Sequence, residues 1–359
     1  MFELKIYSFP TTFISGVIDS LCTAHIRKWL ECPVSSCVTE WMSSPTKYCG
    51  LGIPTFAHRA ERTLLAKRNA LRNSKNVAIR ELWSASRSSQ ANNKVDQLIT
   101  NMDYKNAANQ LREGQNKESL SHFLGLASQG RQAKMVSEVI PANRINSWKG
   151  AIEQLPGFAF NFVRKAIMNQ LPTLSNLKLW GCSPTDCCPL CGLNQTNKHV
   201  VSNCSAPEVL ARYLDRHNKI LRLLANWIKP KLRGETLFCD LTIAGARHVS
   251  DLFVGVRPDL AVVNPSRIVV CEVTVCHETN LESSRLYTLN KYANKAAKKS
   301  FLVKNHLVKV YSLEVSTLGF ISYDPNFLKE VSLPNFDRSF LTDITKTAVM
   351  ATHDIYANR

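Results

Sequence analysis

The sequence predicts a mixed α/β chain, α+β overall, with a helical N-terminal region, a short cysteine-rich knuckle and then a mixed sheet flanked by helices. Three observations carry that expectation. Helix formers at loose helical spacing dominate residues 1–150. Potential metal ligands then crowd into the segment from Cys188 to Cys204. From Leu237 onward the apolar pattern switches to short β-branched runs bounded by turn residues.

In chain order, Ala60 to Trp83 reads as a basic helix, with Leu64, Leu71, Ala78 and Leu82 recurring on one side. Serine-rich Ser84 to Asn93 reads as a loop, and polar Tyr104 to Ser119 as a break between two weaker helical segments. Phe158 to Asn169 is a stronger helix, stopped by Leu171-Pro172-Thr173. Ser205 followed by Glu208 has the spacing of a capping box. The helix it would open carries Leu210, Leu214, His217, Leu221, Leu224 and Ile228, and Pro230 would end it. His217 falls on that apolar stripe and reads as a satisfied core histidine. Runs 237–243, 252–263 and 268–275 read as strands, Leu281 to about Lys304 as a helix, and 308–315 and 320–323 as further strands. The expected division is a helical region 1–100, a helical linker 101–180, a knuckle 181–206, an α/β domain 207–335 and a tail 336–359.

The 359 residues carry 45 Lys+Arg against 28 Asp+Glu, a net charge of +17. Such an excess points to a polyanionic partner, most often nucleic acid. The twelve cysteines do not read as a disulfide scaffold, because five of them (Cys182, Cys187, Cys188, Cys191 and Cys204) cluster and the rest are scattered, often inside apolar runs such as that of Cys271. No secretory leader and no membrane-length apolar run is evident, so a reducing, intracellular and nuclear setting is expected, with no membrane and no small-molecule substrate.

Cys188, Cys191, His199 and Cys204 form a C-x2-C-x7-H-x4-C series. Thiolate and imidazole ligands in a closed set of four suit structural Zn2+. Pro189 and Gly192 supply a tight turn around the first pair, and Cys182 and Cys187 stand nearby as alternative ligands.

Arg257-Pro258-Asp259 opens the first arm of a hairpin, Asn264-Pro265-Ser266-Arg267 supplies the turn, and Glu272 lies on the second arm. If Val263 pairs with Ile268, Asp259 stands directly opposite Glu272 on one face. Opposed carboxylates cost stability, and a catalytic Mg2+ held by both would offset that cost. A loop one residue longer would send the two acids to opposite faces. On the following helix, Lys291, Lys295 and Lys298 share a stripe with Tyr292 alongside. A lysine delivered beside the metal would orient an attacking water or offset charge in the transition state, and the others suit phosphate contacts or a solvated face.

Taken together, the C-x2-C-x7-H-x4-C knuckle, Arg216-His217-Asn218, Arg257-Pro258-Asp259, Glu272 and Lys291-Tyr292 resemble the C-terminal region of the polyprotein of site-specific non-LTR retrotransposons. Leu171-Pro172-Thr173 and Val315-Ser316-Thr317-Leu318-Gly319 extend the likeness, which runs from about Trp148 to Gly319. Ile26-Arg27-Lys28-Trp29-Leu30 and Gly50-Leu51-Gly52-Ile53-Pro54 are similar to the reverse transcriptase thumb. No aromatic-x-Asp-Asp polymerase motif occurs in the chain, so no reverse transcription by these residues is expected. The resemblance implies a PD-(D/E)xK restriction-endonuclease-like domain that nicks target DNA for target-primed reverse transcription. In it Asp259 and Glu272 would bind Mg2+, Lys291 and Tyr292 would complete the catalytic group, and Arg216, Arg257, Lys295 and Lys298 would contact nucleic acid. The position two after Glu272 is Thr274, so the resemblance displaces the lysine to the next helix, to Lys291, with Lys295 one turn on as its rival. The expected partners are a DNA target and the element RNA. The alternative is a catalytically silent, zinc-braced binder of nucleic acid.

Overall fold

The computed structural model describes residues 10–86, 94–253, 255, 257–296 and 307–358. They form two compact units, Met1–Gly130 and Arg131–Arg359. The boundary corrects the expected division: residues 131–180 belong with the sheet-bearing unit.

The first unit is helical among its described residues. Phe56–Arg72 is capped by the Thr55 hydroxyl, and the Asp19 carboxylate also accepts from the first free amides, Phe56 N and Ala57 N, at 2.7 and 3.0 Å. Leu65 packs with Val95, Leu98, Ile99, Ala107 and Leu111 in a small core, beside an ion pair between Arg68 and Asp96. The single basic helix expected from Ala60 to Trp83 is broken at residues 73–76 and resumes as Val77–Ser86. Polar residues 104–119 are not a break. They lie in a 22-residue helix, Tyr104–Gly125, whose N-cap is Asp103 and whose Ala107, Leu111 and Phe123 are buried. Most polar residues fill the exposed faces, while Gln115 and Ser119 are buried with the apolar ones, Gln115 accepting from Arg62 Nε and donating to Glu61 Oε2. Most of the expected loop after Ser86 lies outside the described residues.

In the second unit a six-stranded sheet is ordered β2-β1-β3-β4-β5-β6 among the described residues. Its strands are β1 (Thr236–Cys239), β2 (Arg247–His248), β3 (Leu260–Val263), β4 (Arg267–Cys276), β5 (Leu307–Ser316) and β6 (Ile321–Tyr323). β3 and β4 form an antiparallel hairpin, and β4 runs parallel to β5. A parallel pair needs a crossover, and α2 (Leu281–Ala296) lies within it. Alternation along the strands gives the sheet two apolar faces. Leu237, Leu260, Val262, Val269, Cys271, Val273, Leu313 and Val315 face one core, packed with α1 (Pro207–Ile228) and α3 (Arg338–Ala357). Phe238, Ala261, Ile268 and Val270 face the other, which includes Tyr292 of α2.

The expected tail 336–359 is the largest correction to the fold. α3 is a 20-residue helix with Phe340, Ile344, Ala348 and Val349 buried, and Asp337 caps it through Phe340 N at 2.9 Å. Ala142–Ile152, from the expected linker, packs on α3 as well. Its Trp148 stacks on Phe320 with ring centroids 4.1 Å apart and donates to Leu318 O. The capping box also fails: Ala206, not Ser205, is the N-cap of α1, with Pro207 at its first turn and no side-chain cap. Pro already suits that position because its missing N–H would have no partner there.

Candidate functional site

Two constellations stand out in the second unit. In the first, the ligand atoms of Cys188, Cys191, His199 and Cys204 all lie within 4.8 Å of one another. The turn that begins this arrangement is local: Gly192 N donates to Cys188 O at 2.8 Å, Cys188 N donates to Leu193 O at 2.7 Å, and Gly192 adopts φ +76°. A side chain there would be strained. His199 and Cys204 come from the five-residue π-helical turn His199–Asn203 and the residue after it. His199 Nε2 is 3.3 Å from Cys191 Sγ, and Cys204 Sγ is 3.8 Å from the same sulfur. Three sulfurs and an imidazole converging within one ion's reach are a donor set that could hold Zn2+. Cys182 and Cys187, the alternative ligands, are exposed and lie outside the group.

The second constellation is the acid pair. Val263 pairs with Ile268, and the same register carries Leu260 to Cys271. The turn fixes it: Asn264 Oδ1 accepts from Ser266 N and Arg267 N at 3.0 and 2.9 Å, leaving a two-residue loop. Asp259, one residue before β3, therefore meets Glu272 across the hairpin. Asp259 Oδ2 also accepts from Val273 N at 2.8 Å. His217 of α1 completes the group, with Nε2 3.3 Å from Asp259 Oδ2 and 3.0 Å from Val273 O. Lys291 Nζ stands 3.5 Å from Glu272 Oε1, and the Tyr292 hydroxyl donates to that same oxygen. Asp259, Glu272, Thr274, Ser284, Thr288 and Lys291 line an open cleft.

The electrostatics divide the two acids. Burial pushes the Glu272 carboxyl up, and the hydrogen bond and charge of Asp259 push it further, to about 8, against the pull of Lys291. Burial pushes Asp259 the same way, but hydrogen bonds from His217 and Glu272 prevail and its pKa lies below the ordinary value. Burial opposes charge on His217 too, yet the Asp259 carboxylate holds the imidazole protonated up to about 9.

Not every expected residue fits its assigned part. Arg216 is 1 % exposed, so it offers no phosphate contact; Nη1 donates to Val201 O and Thr352 Oγ1, each at 2.9 Å. Tyr292 is equally buried and touches Glu272 rather than the cleft. Arg257 is exposed and paired with Asp240, whose backbone N donates to Asp259 O at 2.9 Å. The side chain of Lys295 and the whole of Lys298 lie outside the described residues. His217 is the residue that sequence reasoning missed. Its place on an apolar stripe marked it as core, and only the neighbouring Arg216 and Asn218 hinted at polar surroundings. Among the described residues no helix is long and apolar enough to cross a membrane. In comparisons with known proteins, no protein-family model matches the chain and no curated protein matches it.

Proposed function

We propose that the second unit is a Mg2+-dependent DNA endonuclease, the nicking domain of a non-LTR retrotransposon polyprotein, as the motif order implies. One observation carries this reading: Asp259 and Glu272 meet on one face of the β3–β4 hairpin with Lys291 beside them at an open cleft.

Two buried carboxylates sharing a site cannot both ionise freely. Asp259 keeps its charge and Glu272 holds a proton to about pH 8, so the pair retains a single charge at neutral pH. This donor set fits a divalent cation, which would displace the Glu272 proton. Mg2+ bound there would lower the pKa of an attacking water and stabilise the departing oxygen. His217 and Val273 N fix the Asp259 carboxylate, and the Tyr292 hydroxyl fixes Glu272. Lys291 reaches the cleft with a charge that can orient water or offset that of a phosphate. Tyr292 thus acts on substrate only through Glu272. The net charge of +17 supports contacts to the DNA backbone, which give affinity without sequence choice. Zn2+ in the knuckle would order a segment too small to fold by itself.

Nicking of supercoiled plasmid by the purified chain in Mg2+ tests the proposal. Asp259→Ala and Glu272→Ala are each expected to slow nicking by about 100-fold or more while DNA affinity stays within a few fold. A wild-type chain that binds DNA and never cuts it, across Mg2+ and Mn2+, would leave the silent nucleic-acid binder as the function.

A further inference from the structure

One turn of α1 faces both constellations. Tyr213 Oη accepts from Cys204 N at 3.2 Å and lies 2.9 Å from Val200 O and 3.1 Å from His199 O, donating its proton to one of these at a time. Two of those three partners, His199 and Cys204, are ligands of the knuckle. One turn on, Arg216 donates to the next carbonyl of the same π-helical turn, Val201 O, and to Thr352 of α3. Residue 217 then delivers its imidazole to Asp259 Oδ2 and Val273 O. Three consecutive carbonyls of the knuckle, at residues 199, 200 and 201, thereby face donors on α1 beside the side chain that grips the acid pair: Tyr213 donates to one of the first two at a time and Arg216 donates to the third.

Burying a guanidinium is expensive, and an apolar side chain of similar size would brace a helix as well or better. Arg216 nevertheless occupies a fully buried position, and among the described residues its Nε has no hydrogen-bond partner. Its two hydrogen bonds tie α1 to the knuckle turn and to α3 in one geometry.

We propose that Tyr213 and Arg216 are positioning residues that couple the knuckle to the acid pair, so that the metal-ordered fold of residues 199–204 sets where His217 meets Asp259. The coupling itself needs only the geometry of α1; its catalytic consequence rests on the nuclease reading above. α1 is continuous from Pro207 to Ile228, so no hinge absorbs a displacement between residue 213 and residue 217. When residues 199–204 loosen, Tyr213 and Arg216 lose their partners, and the first turns of α1 and the His217 ring move with them.

The test uses the full chain with 15N-labelled histidine. Among nine histidines, the His217 ring signals are identified by their loss in His217→Gln. Tyr213→Phe removes a single oxygen, and Arg216→Met removes the buried donors. Both variants are expected to keep knuckle zinc by elemental analysis while the His217 signals shift or broaden, and chelation of the zinc in the wild type is expected to move the same signals. Nicking by the variants in saturating Mg2+ should show kcat down about tenfold or more with KM for plasmid within about twofold, because small misplacements at a reacting centre are costly. His217 signals and kcat unmoved by Tyr213→Phe overturn the coupling; should Arg216→Met fail to fold, Tyr213→Phe decides alone. If the wild type does not nick, the nuclease reading falls and the ring signals judge the coupling by themselves: movement upholds it, constancy ends it.

Discussion

Glu272 sits 6 % exposed beside a second acid, and that placement has a consequence for stability that can be signed. In the metal-free chain, folded Glu272 keeps its proton to about pH 8, against an ordinary value of 4.5. The folded state thus binds more protons than the unfolded state across that window, and stability falls as pH rises through it. His217, held protonated to about 9 against 6.5, pulls the same way over a higher window. Glu314 of β5, fully buried and raised by burial to about 7, adds to the same slope. The expected outcome for metal-free protein is a melting temperature that declines from about pH 5 to about pH 9. Glu272→Gln should shallow the decline between about pH 5 and pH 8, as should saturating Mg2+ in the wild type. A slope identical in wild type and Glu272→Gln would show that this carboxyl titrates as an ordinary one.

The hairpin β3–β4 shows how an element converts turn chemistry into a site. Asn264 closes the two-residue loop through its own side chain, and the loop length sets which face each acid occupies. One glycine inserted between Pro265 and Ser266 should abolish nicking and lower the melting temperature if it slips the register, because a one-residue slip sends the shifted side chains, Leu260 and Val262 with them, to the other face; circular dichroism and the plasmid assay read the two effects separately. Retained nicking with an unchanged melting temperature would mean that the longer loop absorbs the glycine and the register holds. The knuckle makes a parallel case. Cys188→Ser should cost the bound zinc and several degrees of melting temperature, since metal binding there is folding free energy. Elemental analysis of the wild type is expected to return about one Zn2+ per chain, and a zinc-free, equally stable wild type would remove the metal from the account. Both elements were legible because each is local. Their register and spacing are written within seventeen residues from Cys188 to Cys204 and eight from Leu260 to Arg267.

At the scale of the second unit, the chain after the last strand is core rather than tail. Ile344 and Ala348 of α3 are fully buried in the cluster that also holds Ile220, Leu224 and Val315, and Trp227 Nε1 donates to Asp337 Oδ2 at 2.8 Å. A chain ending at residue 335 would expose one side of that cluster and leave Arg216 without Thr352. It is expected to lose cooperative thermal unfolding and to precipitate or bind a hydrophobic dye, because the lost burial is a large part of a marginal total. A truncated chain that melts as sharply as the full one would show that α1 and the sheet form a sufficient core. Residues 336–359 misled because no turn or charge break marks them as part of the domain, and because the surface they cover belongs to an element more than a hundred residues earlier.

The amino-acid order alone determined the spacing that gathers Cys188, Cys191, His199 and Cys204, the hairpin register that brings Asp259 to Glu272, and the order helix, strand, hairpin, helix, strands between residues 207 and 323. Each of these depends on spacings of a few residues, where backbone geometry leaves little choice. Tertiary structure alone decided that Arg216 is buried, that His217 turns from an apolar stripe to an acid, that Tyr292 serves Glu272 from beneath, and that α3 closes the core. In those cases the partner lies far away in sequence, and a side chain's role depends on which groups remain to satisfy it once water has been excluded.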